Sequence, residues 1–160
     1  MYAHWRTGVY FLDWNSDSLN GGIVKHLEPF PSATETLIEV NEFVVTDDHL
    51  YGAAGDAFGC YKWELEEPNK LITTYRPKYG GYLHSVHKIP DSDLLLCGGE
   101  DGILEVWDTV KDERIDCLTM DDSVKWIASC RARDHDWWTV AGGTAAGGFI
   151  ATWHGPTRSL

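Results

Sequence analysis

Four tryptophans close four short β-prone runs at nearly equal intervals, and that recurrence limits the folds open to this chain. They are Trp14, Trp63, Trp107 and Trp153, spaced 49, 44 and 46 residues apart, and each follows a glycine by four to six residues: Gly8, Gly59, Gly102 and Gly148. Glycine admits a turn, and the aliphatic and aromatic residues between it and the tryptophan suit a pleated, half-buried strand. One such run is unremarkable. Four in step mean a repeated unit that buries its apolar faces against its neighbours.

The best-kept copy is Leu94-Leu95-Leu96-Cys97-Gly98-Gly99-Glu100-Asp101-Gly102-Ile103-Leu104-Glu105-Val106-Trp107-Asp108. An apolar run enters a glycine- and aspartate-rich break and an alternating run leaves it, which predicts a hairpin. Asp101 is expected to hydrogen-bond its own turn, and Gly102 to supply backbone freedom there. Strand-like runs at 82–89 and 114–118 flank it. An earlier unit reads as strands at 37–45, 49–54, 60–65 and 70–75. A later one reads as 126–130, 137–141, a glycine-rich break at 142–148, and 149–153, and an opening one as 8–14 and 23–27. The expected organisation is the end of one unit plus a loop (1–34), two whole units (35–77 and 78–120) and an incomplete one (121–160). Four-stranded units at a period of about 40–45 residues are the mark of β-propeller blades, so the fold class predicted is all-β, a propeller of about three to four blades.

Charge bears on partners. Acidic residues outnumber basic ones 25 to 13, for a formal charge of −12, and the basic residues are dispersed. A surface that grips phosphate backbones needs the opposite balance, so autonomous nucleic-acid binding is not expected. The four cysteines, Cys60, Cys97, Cys117 and Cys130, form no CxxC pair. Three sit inside apolar strand-like runs, where a free cysteine behaves as a small hydrophobe, and a reduced, intracellular setting is expected. No 18-residue apolar run is present for a membrane span.

The run Gly98 to Asp108 resembles the second-to-third-strand hairpin of a WD40 repeat. More narrowly, several motifs in order look like the THO complex subunit 6 family. They are Tyr82-Leu83-His84-Ser85-Val86, Lys125-Trp126-Ile127-Ala128-Ser129-Cys130, Asp136-Trp137 with Ala141-Gly142-Gly143, and Thr152-Trp153-His154. The likeness covers roughly residues 36–159. It implies a seven-bladed propeller, of which this chain would be a fragment or truncated product. It also implies a non-enzymatic scaffold in the nucleus, including nuclear speckles, acting in mRNA processing and export. The implied partners are other THO/TREX subunits, the coiled-coil subunits 5 and 7 among them, with protein contacts outweighing RNA contacts. Two departures stand out. Lys78-Tyr79-Gly80-Gly81 replaces the usual Gly-His, and Cys97 replaces a small hydroxyl residue on the second strand. The structural positions implied are Asp101, Gly102, Trp107, Asp108, Trp63 and Trp153, with Trp107 expected to hold by apolar packing.

The residues that could carry chemistry each have a plainer role. His84 and His87 stand at i and i+3, which puts them on opposite faces of a strand and serves a shared metal poorly. The glycines at 142–148 lack the lysine of a phosphate-binding loop and precede a strand, so a hairpin loop is preferred. Asp101 and Asp108 read as turn and strand-end residues, and Asp134-His135-Asp136 lacks a nucleophile. No catalytic, metal or cofactor site is expected, nor a small-molecule ligand. Trp137 and Trp138 put one indole on each face of a strand, and one of them is a candidate interface anchor. A cullin-4 substrate receptor is the alternative binding module, but Trp107-Asp108-Thr109-Val110 lacks the arginine of that signature.

Overall fold

The computed structural model describes residues 2–4, 8–12, 23–27, 40–55, 59–66, 70–78, 81–131, 137–144 and 147–154. Among them fourteen strands form four antiparallel sheets, each a simple meander. The first sheet is β1 (Tyr2–His4), β2 (Gly8–Leu12) and β3 (Ile23–Leu27). The second is β4 (Val40–Val45), β5 (His49–Ala54), β6 (Gly59–Glu64) and β7 (Leu71–Tyr75). The third is β8 (Leu83–Lys88), β9 (Leu94–Gly99), β10 (Ile103–Asp108) and β11 (Glu113–Thr119). The fourth is β12 (Val124–Arg131), β13 (Trp137–Thr144) and β14 (Gly148–His154). The leading strands β1, β4, β8 and β12 lie beside one another in that order, so the sheets stand face to face around a common edge.

Alternation along each strand divides the core into layers. Tyr51, Ala53, Cys60 and Tyr75 of the second sheet meet Leu83, Val86, Leu95, Cys97 and Trp107 of the third. The other face of the third sheet, with Leu94, Leu96, Leu104 and Val106, meets Val124 and Ile127 of the fourth. A further layer of Val40, Leu50, Ala54, Tyr61 and Trp63 covers the second sheet's opposite face. The second and third sheets are thus apolar on both sides, and burial there is the main stabilising term.

The hairpin of β9 and β10 pairs Leu95 with Trp107 and Cys97 with Glu105. Gly102 closes its turn at φ +72°, a conformation costly for any side chain. Its N–H bonds the Gly99 carbonyl, and its own carbonyl accepts from Met120.

The glycine-rich stretch at 142–148 corrects the sequence expectation of a loop. Strand β13 runs through Gly142 and Gly143 to Thr144, and β14 begins at Gly148. A Cβ on Gly142 would fall 2.2 Å from the Phe149 ring, and one on Gly143 would fall 1.7 Å from the Trp126 indole nitrogen. These glycines admit close aromatic packing within the sheet rather than a turn. Strand β1 had no counterpart in the sequence reading. Trp14 and the 134–136 turn lie outside the described residues.

Candidate protein-interaction site

Trp63 and Trp107 hold equivalent places on the third strands of their sheets, opposite Leu50 and Leu95 respectively. Both are buried. Their polar edges are treated differently. The Trp107 indole N–H donates to the buried Glu105 carboxylate at 3.2 Å. Glu105 also accepts from the Arg114 guanidinium at 2.8 Å and from the Lys78 backbone N–H at 3.0 Å. Apolar packing around Trp107 is therefore only part of its anchoring, because a charged acceptor satisfies the indole. Glu105 escaped sequence reasoning, since a charged residue in an alternating strand reads as the solvent-facing member. Cys97 stands where a hydroxyl was expected and its thiol meets Cys60 of the second sheet. That contact and burial hold the Cys97 thiol well above its ordinary pKa, in the neutral, unreactive form.

The two aspartates shape turns. Asp101 accepts from the Ile103 N–H at 3.1 Å, and Asp108 accepts from the N–H groups of Val110 and Lys111 at 3.0 and 3.1 Å. Beside Asp108, the turn from β10 to β11 is tied to the second sheet. Buried Lys62 donates to the Thr109 carbonyl at 2.8 Å and to Asp112 at 2.9 Å, and Tyr75 donates its hydroxyl to Asp112 at 2.5 Å. Asp112 takes a left-handed conformation, φ +54°, to reach them.

A repeated irregularity shapes the rim. Pairing slips at the second residue of β4, β8 and β12 alike, leaving Asn41, His84 and Lys125 as bulge residues. A bulge frees its residue from the ladder and re-aims the side chain. Asn41 donates to the Leu83 carbonyl at 2.6 Å and accepts from the Tyr82 hydroxyl at 3.3 Å, both in the next unit. His84 bonds Glu100, and Lys125 reaches across from the fourth sheet to His84 at 2.6 Å and to Glu100 at 3.1 Å. His84 and Lys125 together hold the Glu100 carboxyl below its ordinary pKa. Deeper along the same strands, Glu42 accepts from the Val86 N–H at 2.8 Å, and His87 bonds the Ser129 hydroxyl at 2.7 Å. Burial raises the Glu42 pKa and lowers that of His87. The two histidines thus serve contacts between sheets. Among the described residues no cluster of histidine, cysteine and carboxylate side chains could hold a metal ion.

Trp137 and Trp138 open β13, with Trp138 opposite Trp153 of β14, but their side chains and that of Trp153 lie outside the described residues. The exposed tryptophan in view is Trp126, half exposed over Gly143, with Ile150 of β14 also exposed. A tryptophan between Lys125 and Ile127 gave no sequence signal distinguishing it from a core residue.

The chain superimposes on the WD40 β-propeller domain of Doa1 with a TM-score of 0.64 at 13% identity, covering 87% of this chain and 43% of that one. The fold is that of a partial WD40 β-propeller. A chain in the mitotic checkpoint complex matches with a TM-score of 0.63 at 18% identity (83% of this chain, 40% of that one). U3-55K matches at 0.60 and 14% (89% and 42%). The chain spans about two fifths of the length of these WD40 structures. No protein-family model and no curated protein matches it. Its four sheets take the places of propeller blades, and the second and third have four strands each.

Proposed function

We propose that this WD40 chain is a non-enzymatic scaffold that holds other proteins together, and that it serves in the THO/TREX assembly during nuclear mRNA processing and export. The observation that carries the scaffold reading is the cross-linking of the blades. The junction between the two complete blades is joined by side chains as well as by apolar packing, which gives a rigid frame for partners. The buried charged groups among the described residues are engaged within the fold: Lys62 ties the junction, Glu105 is held by Arg114 and Trp107, and Asp108 accepts from its own turn.

The THO assignment is supported by the order of the blade motifs from Tyr82 to His154, with the coiled-coil subunits 5 and 7 as expected partners. The acidic balance fits protein contact better than direct RNA binding. Affinity purification of the full-length protein from nuclear extract is the test. Recovery of THO subunits supports the reading. Recovery of a cullin-4 adaptor without THO subunits overturns it.

A further inference from the structure

The turn joining β4 to β5 and the turn joining β8 to β9 come from successive blades, and a cleft of about 530 Å³ opens between them. Val44 and Val45 form one wall, and Pro90, Asp91 and Asp93 stand on the other with Lys88. Val45 is 39% exposed and Pro90 is exposed, so the cleft offers apolar surface to whatever enters it.

Both turns are satisfied internally and are therefore firm walls. Thr46 and His49 exchange backbone and hydroxyl bonds, and the Ser92 hydroxyl bridges the Ile89 carbonyl and the Leu94 N–H. The Asp93 carbonyl accepts from both the N–H and the hydroxyl of Thr109, which fastens this wall to the β10–β11 turn.

The charges are not balanced. Asp91 and Asp93 line the cleft, and Asp47 and Asp48 follow directly on its other wall, all four exposed. Among the described residues Lys88 is the one cation lining the cleft; its ammonium donates to the Ser92 carbonyl of its own turn and interacts with Asp93, which leaves the four carboxylates in excess. Among the described residues no ion pair engages any of the four aspartates. Carboxylates gathered at a low-dielectric cleft focus a negative potential outward. Apolar walls beside them suit a long side chain that ends in a charge.

We propose that this cleft receives a cationic segment of a partner protein, with the stem of an arginine or lysine on Val45 and Pro90 and its charged end at Asp91 and Asp93. The proposal stands apart from the THO reading, because it names the chemistry of a binding segment and not the assembly that supplies it.

The test uses the purified chain and a fluorescein-labelled peptide, Ala-Val-Arg-Val-Arg-Ala, read by fluorescence anisotropy at about 0.15 M salt. The same peptide with glutamate for arginine is the charge control. Asp91→Asn with Asp93→Asn is the cleft variant. Asparagine tolerates the φ of +52° at Asp91, and the Asp93 carbonyl bond to Thr109 is untouched. Glu113→Gln with Asp121→Asn removes the same charge elsewhere, and circular dichroism checks that both variants are folded. The expected result is binding of the arginine peptide alone, weakened about tenfold by the cleft pair and less than about twofold by the control pair. Val45→Thr is expected to weaken it by a few-fold, through the apolar wall. Equal weakening by the two pairs would reduce the attraction to diffuse charge and overturn the proposal, as would equal binding of both peptides or binding of neither.

Discussion

The indole N–H of Trp107 donates to Glu105, two residues earlier on the same strand, whereas the indole N–H of Trp63, at the equivalent place one blade earlier, has no acceptor among the described residues. Tyr61 stands where Glu105 would be, and it stacks on Trp63 with ring centroids 5.6 Å apart. Among the described residues, one blade anchors its tryptophan by a charge-assisted bond and the other by ring packing.

The two tryptophans should therefore differ in what their nitrogen contributes. Trp107→Phe deletes a bond to a buried carboxylate, and Trp63→Phe deletes an unpaired donor. Both lose similar apolar area, so Trp107→Phe is expected to cost at least about 1 kcal/mol more. Urea unfolding of the two variants measures this. Equal losses would mean that the Glu105 bond adds nothing to stability.

The tie between the second and third blades should show strong coupling. Asp112→Asn keeps the left-handed backbone but leaves the Lys62 ammonium buried without its counter-charge, at a cost of about 3 kcal/mol. Lys62→Met removes the buried charge itself and should cost less, because Asp112 is partly exposed and keeps its Tyr75 bond. In the double variant the two losses should not add. Additive losses in that cycle would show the pair to be independent.

Alkaline pH should unfold the protein through its buried tyrosines. Burial pushes the hydroxyls of Tyr51 and Tyr61 up to about 12 from an ordinary 10.0. Tyr75 is displaced further the same way, first by burial and then by the bond it donates to Asp112. A raised folded pKa means that the folded chain keeps protons the unfolded chain has lost. Stability is then full below pH 10 and falls as pH rises toward 12. Tyrosinate absorbance should rise together with unfolding in that window. Ionisation near pH 10 with the fold intact would contradict it.

Glycines at close approaches should separate by what they touch. A Cβ at Gly98 would fall 2.5 Å from Val124 and 2.6 Å from the Ser85 hydroxyl, so Gly98→Ala wedges the third blade from the fourth at a cost of about 2 kcal/mol. Gly143→Ala meets the half-exposed Trp126 indole, which can swing into solvent. It should change stability by less than about 1 kcal/mol while shifting tryptophan fluorescence to the red. A larger loss for Gly143→Ala than for Gly98→Ala would reverse this assignment.

Strand periodicity was legible because it is local. The glycine-to-tryptophan runs appear as β6, β10 and β14, and the turn chemistry at Asp101 and Gly102 follows from residues two or three apart. The junctions were not legible, because they join residues far apart in the chain. Lys62 and Asp112 are separated by 50 positions, and nothing near either one marks the pair. Glu105 is hidden by its own strand, where a charge normally points to water. The glycines at 142–143 misled because a glycine that makes room for a ring looks the same in sequence as one that makes a turn.

The bulge shared by β4, β8 and β12 has a consequence for how the blades find their places. Apolar layers are forgiving, and one blade face can dock against several others at similar cost. Asn41, His84 and Lys125 differ from one another: Asn41 accepts from the Tyr82 hydroxyl of the next blade, and Lys125 reaches back to His84 and Glu100 of the blade before it. A misordered or shifted blade would keep its hydrophobic contact and lose that match. The rim thereby records the order of the blades, one residue for each of the second, third and fourth.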